Sequence, residues 1–326
     1  MRLIDDAAAG PLPNVICVGV EKGGSTSLYD CLRAHPDVYM SPIKETNFFS
    51  TDVRVENFRD DYQRHERQKK LDLDAYFREP ELSDIWGAYV REPEHYLRLY
   101  AAGGDYAVRG EVSNSYLYSH EAARNIADTL PEARILVILR DPVARAYSHF
   151  RAMVRDGRTE KAALIDEIEY DRGFADRRWG SCHGYIDHGM YAQQLERLFA
   201  AVGRERIKVI LAEDFFADRA ASMADIYGFL GLPDSTAHLD AANRNMSVAP
   251  RSAGLIRFLS RTGLKRRVFR LIPERYRSGI KGLFFTGNGH SMTAAEADFL
   301  GSFYRDEIPA VEELLGVRLD AWRKRT

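Results

Sequence analysis

The sequence predicts an α/β protein with a P-loop-like central parallel β-sheet flanked by helices. An unbroken apolar run at 15–20 and mainly apolar runs at 134–139 and 207–211 are typical of strands that are buried on both faces, as in a parallel sheet. Segments with helical spacing follow these runs, and alternation of strand and helix favours this class. Because no stretch has the composition of a linker, we expect a single domain over residues 1–326 that begins with a loose arm over 1–13.

A short helix is predicted over 28–34, after the loop that follows the first strand. A turn over 35–38 follows, and residues 39–49 have the pattern of an irregular stretch. The apolar residues of the helix share one face at helical spacing, so we expect that face to be buried. The residues on this face are Leu28, Cys31 and Leu32.

The second half of the chain contains clearer signals for where helices begin. Asp141 and Pro142 follow the strand over 134–139, and they make a good N-cap and a good first helical residue. Thr293 begins a capping box for a C-terminal helix, and residues 156–185 are charged and loop-rich. Further predicted elements are a strand over 106–112 and helices over 121–129, 191–201 and 222–230.

Composition is that of an ordinary soluble globular protein, with 45% hydrophobic and 29% charged residues. The net charge of −2 gives no global field that would favour nucleic acid or a membrane surface. The three widely spaced cysteines fit a reducing compartment and offer no metal-site spacing. With no long apolar stretch, we expect no signal peptide, no membrane span and a cytoplasmic location. The oligomeric state is not predicted.

A glycine loop between the first strand and the first helix carries the strongest functional signal. Residues 19–27 read Gly-Val-Glu-Lys-Gly-Gly-Ser-Thr-Ser. Loop amides and a helix N-terminus in this order suit an anion such as phosphate. In an ATP-binding loop the lysine follows the last glycine, but here Lys22 precedes Gly23 and Gly24. The pattern predicts a phosphate site of another kind, with a structural turn as the alternative.

A second candidate phosphate contact follows the strand over 134–139. Arg140 lies at the carboxyl end of this strand, where ligands bind in open α/β sheets, and Ser148 follows about two helical turns later. The two side chains could share one phosphate. The alternative is that Arg140 pairs with a carboxylate and that Ser148 packs. We expect Arg145 to be a surface partner rather than a ligand.

A carboxylate beside paired aromatic residues is the third candidate. Glu45 follows Lys44 and precedes Phe48 and Phe49. If the rings partly desolvate this carboxylate, it becomes a better general base. An exposed ion pair with Lys44 is the alternative.

Together these segments resemble the sulfotransferases that use 3′-phosphoadenosine 5′-phosphosulfate (PAPS). Residues 22–27 resemble the 5′-phosphosulfate loop of that family, and residues 138–148 resemble its 3′-phosphate motif, in the same order. Residues 35–38 and 44–49 are similar to the heparan-sulfate-type and bacterial branch. The resemblance implies PAPS as donor, adenosine 3′,5′-bisphosphate (PAP) as product, no required metal, and a small-molecule, glycoside or sugar hydroxyl as acceptor.

The resemblance also implies roles for individual residues. Lys22 would stabilise charge on the leaving phosphate, and Glu45 would take the proton of the acceptor hydroxyl during in-line attack on sulfur. Phe48 and His188 are further acceptor candidates, and 50–103 and 156–190 would face the acceptor. The implied donor contacts are Lys22, Gly23, Gly24, Ser25, Thr26, Ser27, Arg140 and Ser148, with Tyr191, Arg244 and Arg251 as further candidates.

One position departs from the family pattern. Some relatives have a lysine after the glutamate of the second strand, but here Val112 follows Glu111. Either another cation replaces that lysine or the acceptor is bound differently. We expect His149 to pack, whereas His183 and His188 lie in a loop that could face the acceptor. The competing functions are a P-loop-type ATP-dependent kinase and a non-catalytic protein that binds a nucleotide or a sulfated ligand on the same fold.

Overall fold

The computed structural model of the chain describes residues 2–4, 10–69, 71–235, 249–250, 285–286 and 291–323. The strands are β1 (Val15–Gly19), β2 (Val38–Met40), β3 (Ile43–Lys44), β4 (Ile85–Trp86), β5 (Val108–Ser113), β6 (Arg134–Leu139), β7 (Ile207–Leu211), β8 (Ala249–Pro250) and β9 (Phe285–Thr286). The helices are α1 (Ser25–Arg33), α2 (Asp60–Lys69), α3 (Leu73–Arg78), α4 (Pro93–Arg98), α5 (Ser115–Tyr118), α6 (Ala122–Thr129), α7 (Pro142–Asp156), α8 (Leu164–Arg172), α9 (Tyr191–Val202), α10 (Ala212–Ala217), α11 (Arg219–Leu230), α12 (Ala294–Tyr304), α13 (Glu307–Leu315) and α14 (Asp320–Arg323).

Five strands form a wholly parallel central sheet in the order β2-β5-β1-β6-β7. Side chains of β1 alternate between two cores: Ile16 and Val18 pack on one face of the sheet, and Val15 and Cys17 pack on the other. Burial on both faces explains why this strand is apolar throughout. The predicted α/β class, with its central parallel sheet flanked by helices, is confirmed.

The strand order creates a crevice at the carboxyl edge of the sheet. From β1 the chain goes to the edge strand β2, returns to β5 beside β1, and then crosses to β6 on the other side of β1. The loops that follow β1 and β6 therefore diverge, which is where open α/β sheets bind ligands.

Several local predictions are confirmed. The strands over 134–139 and 207–211 have the expected bounds. Asp141 caps α7, because its Oδ1 accepts hydrogen bonds from the amides of Val143 (2.9 Å) and Ala144 (3.2 Å). Thr293 and Glu296 form the capping box of α12. The predicted apolar face of α1 is fully buried: Leu28, Cys31 and Leu32.

Other local predictions were wrong. Residues 35–49 are not simply a turn and an irregular stretch, because they contain β2 and β3. Strands of three and two residues are too short to show a period of two, so no sequence pattern reveals them. Within the segment expected to be loop-rich, 156–185, the chain forms α8. In the described part of the chain, no helix has the length and apolar character needed to cross a bilayer.

Candidate active site

A cleft of about 620 Å³ opens at the carboxyl edge of the sheet. The loop after β1, the start of α7 and the turn after β3 all border it, although they are far apart in sequence. The predicted site residues that line it are Lys22, Gly24, Ser25, Thr26, Ser27, Glu45, Arg140 and Ser148. The structure thus brings the three candidate elements to one place.

The glycine loop has a backbone that larger residues could not adopt. The amide of Gly23 donates to the Val20 carbonyl at 2.9 Å, and a Cβ at position 23 would lie 2.7 Å from Cγ2 of Val20. Gly24, the N-cap of α1, has a left-handed φ of 109° and no side chain caps the helix. The first amides of α1 therefore face the cleft without a side-chain cap, which suits an anion.

Two cations flank this loop. Burial lowers the pKa of Lys22, and the neighbouring Glu21 carboxylate opposes that shift. Arg140 donates from Nη1 to the Lys22 carbonyl at 3.2 Å, and burial also lowers the pKa of Arg140. The side chains of Lys22 and Arg140 both line the cleft. These two cations and the loop amides could therefore bind a phosphate together.

Arg145 and Tyr191 have different roles from those expected. Arg145 is not a surface residue: it is fully buried and donates to the backbone carbonyls of Tyr185 and Glu21, so it ties α7 to two loops. Tyr191 is also fully buried, and its hydroxyl donates to the Arg140 carbonyl at 2.8 Å. Because its hydroxyl is hydrogen-bonded to the backbone, Tyr191 can support Arg140. Tyr191 does not line the cleft.

Glu45 reaches the cleft from the turn after β3. Its Oε1 accepts hydrogen bonds from Nζ of Lys44 and from Nδ2 of Asn114, both at 2.8 Å. The side chain of Glu45 is 29% exposed, whereas that of Lys44 is 2% exposed. The Lys44 ion pair predicted as the alternative is present, but its cation is buried and not solvated.

The paired aromatic residues do not surround Glu45. Phe48 is 2% exposed and stacks on Tyr96 at 4.0 Å, while Phe49 packs edge-on against the same two rings. Both belong to the core under the cleft, so the expected acceptor contact of Phe48 is not made directly. Because the Phe48 and Phe49 rings pack in this core, they do not surround the Glu45 carboxylate. The groups that contact it are Lys44 and Asn114 instead.

Strained backbone concentrates at this site. Among the described residues, the non-glycine residues with positive φ are Lys22 (68°), Glu45 (68°) and Asn47 (53°), and all three line the cleft. Each such conformation costs about 1–3 kcal/mol and persists only where the surroundings enforce it. Here the Glu45 amide donates to the Val112 carbonyl at 2.7 Å, and Asn47 donates from Nδ2 to the Ala88 carbonyl at 2.8 Å.

Glu111 is a structural carboxylate. It is fully buried, burial raises its pKa, and hydrogen bonds from four hydroxyl groups oppose that shift: Thr46, Tyr96, Tyr116 and Ser113. Val112 packs in the core beside Cys17, so the position at which some relatives have a lysine is apolar here.

A cluster of potential metal ligands joins Glu21 of the glycine loop, whose side chain is 25% exposed, to two buried histidines. Glu21, His149 and His188 each bring one potential ligand atom within 4.8 Å of the others. Burial, followed by the Arg145 charge, lowers the pKa of His149 and that of His188, the latter to about 3. The nearby guanidinium of Arg145 disfavours the binding of a metal cation in this cluster. That the protein requires no metal stays a prediction.

The histidines predicted to face the acceptor are buried. His183 is fully buried and contacts the Tyr62 hydroxyl at 3.0 Å through Nδ1. His188 is 5% exposed and stacks under Trp179 with centroids 4.8 Å apart. Trp179 lines the cleft and His188 does not. His188 could therefore affect an acceptor only indirectly, by supporting the Trp179 ring. His149 packs, as expected.

Sequence reasoning missed part of the site. Asn114 follows β5, so the rule that ligands bind at carboxyl ends of strands could have found it. Trp86, Tyr89 and Tyr62 line the cleft from the segment over 50–103 without any motif to mark them. Arg244 and Arg251 lie outside the described residues.

The profile described as "Sulfotransferase family" matches residues 13–236. This chain belongs to the sulfotransferase family. Similar sulfotransferases include heparan sulfate glucosamine 3-O-sulfotransferase 3A1 of Homo sapiens, 23% identical over 235 residues that cover 71% of this chain and 47% of the relative. Carbohydrate sulfotransferase 15 of Mus musculus is 24% identical over 257 residues that cover 68% of this chain and 44% of that relative. The chain spans about half the length of these relatives.

A solved sulfotransferase is similar over nearly the whole chain. The crystal structure of a sulfotransferase from Alicyclobacillus acidocaldarius superposes with a TM-score of 0.64 and 25% sequence identity. The match covers 96% of this chain and 99% of that one. The sulfotransferase fold expected from the two motifs is therefore confirmed.

Proposed function

We propose that this protein is a sulfotransferase that moves a sulfonate group from PAPS to a hydroxyl of a sugar or small-molecule acceptor. The observation that carries the proposal is the convergence of the glycine loop, Arg140, Ser148 and Glu45 on one cleft. These elements come from three separate segments, and each suits a different part of one transfer reaction. The family match supports this function over an ATP-dependent kinase.

The donor half of the cleft is built from backbone amides and cations. The amides from Gly24 to Ser27 and the hydroxyls of Thr26 and Ser27 would hold the 5′-phosphate, whereas the Gly23 amide is already bonded to the Val20 carbonyl. Arg140 and Ser148, which line the same cleft, would hold the 3′-phosphate. PAPS supplies an activated sulfonate. Lys22 would stabilise the negative charge that develops on the leaving phosphate, so the chain's own donors could provide the electrostatic stabilisation.

The acceptor half carries the candidate base. Glu45 lines the cleft with a partly exposed carboxylate, and it would take the proton of the attacking hydroxyl. Aromatic side chains line the same cleft: Tyr62, Trp86, Tyr89 and Trp179. Such rings suit the flat faces of a sugar or of a polycyclic natural product. We propose a cytoplasmic enzyme, and its location stays a prediction.

Transfer from radiolabelled PAPS tests the function. The acceptors to offer are heparosan and chitin oligosaccharides, nitrophenyl glycosides and simple phenols. We expect label in at least one acceptor and, with time, PAP in stoichiometric amount. If PAP binds but label appears neither in an acceptor nor in free sulfate, the result would favour the alternative of a non-catalytic binding protein. Neither binding nor transfer would contradict the proposal.

A further inference from the structure

We propose that Oε2 of Glu45 is the proton-accepting oxygen, and that Lys44 and Asn114 are positioning residues that clamp the other oxygen. This inference rests on the proposed sulfuryl transfer and assigns a task to each atom of its base. It also gives a function to Lys44, a lysine whose side chain is only 2% exposed.

The two oxygens of Glu45 have unequal surroundings. Oε1 accepts from Nζ of Lys44 and from Nδ2 of Asn114, both at 2.8 Å. Within the part of the chain that the structure describes, no hydrogen bond reaches Oε2. A carboxylate held through one oxygen presents the other in a defined direction, as a general base must. The 29% exposure of this side chain lets Oε2 meet a hydroxyl in the cleft.

Lys44 is held in place by Trp86 and by Glu45. Strands β3 and β4 pair in parallel with Lys44 opposite Trp86, and the ammonium lies 5.0 Å from the centre of the Trp86 ring. Trp86 itself is 60% exposed, so it covers the lysine on the solvent side. Since the Lys44 side chain is only 2% exposed, water screens its interaction with Glu45 weakly.

The proton balance assigns Lys44 a supporting part. The acceptor oxygen forms its bond to sulfur, the bond between sulfur and the 5′-phosphate oxygen breaks, and the acceptor proton goes to Oε2. Lys44 keeps its own protons, because its hydrogen bond to Oε1 needs an N–H donor. The 5′-phosphate oxygen leaves with the electron pair of the broken bond, and Lys22 faces that charge.

The test compares Lys44→Met with Lys44→Arg and with the control Lys208→Met. Lys208 is also a lysine between a carboxylate and a ring, 2.6 Å from Asp225 and 5.7 Å from the Phe229 ring, but it lies on β7 away from Glu45. Carbon-13 NMR of glutamate-labelled protein follows the Glu45 carboxylate, with Glu45→Gln identifying its signal. Hydrolysis of radiolabelled PAPS in the absence of an acceptor gives a rate with water as the nucleophile.

For Lys44→Met we expect the carbon-13 signal of the Glu45 carboxylate to move at constant pH, because Oε1 loses one of its two hydrogen bonds. We also expect hydrolysis to fall at least about tenfold, with PAP binding kept. Lys44→Arg should restore both readouts in part, and Lys208→Met should change neither. The other charged groups that border the cleft stay in place in every variant: Glu21, Lys22, Arg140, Arg155 and Arg158.

Two results would overturn the inference. One is a Glu45 carboxylate signal in Lys44→Met at the same position as in the wild type. The other is a lower melting temperature with the NMR signal unchanged, which would make Lys44 merely structural. The NMR readout needs neither donor nor acceptor, so it can fail while PAP still binds and sulfonate is still transferred. Conversely, loss of PAP binding by the wild type would contradict the proposed function and leave the NMR result valid.

Discussion

The two halves of the cleft are built in different ways. The half proposed to bind the donor combines a contiguous segment, 22–27, whose backbone amides and helix N-terminus face the cleft, with Arg140 and Ser148 from the segment that follows β6. The acceptor half is assembled from side chains on separate elements, among them Glu45 after β3, Trp86 on β4 and Asn114 after β5. A backbone site tolerates few sequences, whereas a side-chain site can change one residue at a time.

This difference suggests a division of labour. The donor half would be common to enzymes that use one donor, and the acceptor half would set the specificity. Both halves store backbone strain, at Lys22 in one and at Glu45 and Asn47 in the other. Changes in the donor half should therefore affect every acceptor alike, while changes in the acceptor half should leave PAP binding intact.

Lys22→Met should have the largest effect on turnover. Removal of one group that stabilises a developing charge lowers kcat by about 10²–10³-fold, and Lys22 is the lysine of the loop that would hold the leaving phosphate. The measurement is kcat with radiolabelled PAPS and any acceptor that the transfer screen finds. Lys208→Met, remote from the cleft, is the control. Equal kcat values for the two variants would remove Lys22 from this role.

Glu45→Gln should lower kcat by at least about a hundredfold, within the range for a general base. PAP should bind nearly as well as to the wild type, because Glu45 lies in the acceptor half. Isothermal titration calorimetry with PAP and single-turnover kinetics check the two parts separately. Glu56→Gln, an exposed glutamate, is the control. A near-normal rate would show that another group takes the proton.

Gly23→Ala should weaken the donor half without touching the acceptor half. The new Cβ would lie 2.7 Å from Cγ2 of Val20, and such overpacking costs about 1–3 kcal/mol. We expect weaker PAP binding and a lower free energy of unfolding. The control is Gly228→Ala inside α11, where a Cβ meets no atom within 4 Å and should stabilise the helix by about 0.5–1 kcal/mol. Unchanged PAP affinity in Gly23→Ala would contradict the backbone account of this loop.

The buried histidine beneath the acceptor half should affect stability rather than chemistry. Burial lowers the pKa of His188 to about 3, so between that pH and about 6.5 the unfolded chain binds a proton at this position that the native protein does not. Stability therefore falls as the pH falls through this window. Urea unfolding at several pH values should show a wild-type loss about 1.4 kcal/mol per pH unit steeper than that of His188→Asn. Parallel slopes would show that His188 is protonated in the native state.

The sequence predicted the donor half better than the acceptor half, and the reason is physical. A glycine loop, a strand end and an N-cap are local features, so the position of Lys22 and Arg140 at the cleft and the cap Asp141 were predicted from neighbouring residues alone. Trp86 meets Lys44, and Asn114 meets Glu45, only through tertiary folding and the pairing of a two-residue strand, which leaves no local pattern. The error on Arg145 has the same origin, because its carbonyl partners are distant in sequence.

The central claim is that this cleft binds the PAPS nucleotide and not ATP, and thermal unfolding with nucleotides tests it most directly. PAP at a hundredfold excess over its Kd should stabilise the protein by about 2.7 kcal/mol and raise the Tm. Adenosine 2′,5′-bisphosphate, with the same charge and a displaced phosphate, should stabilise it less, and ATP with Mg²⁺ should have little effect. Equal shifts with PAP and with ATP and Mg²⁺ would contradict the account.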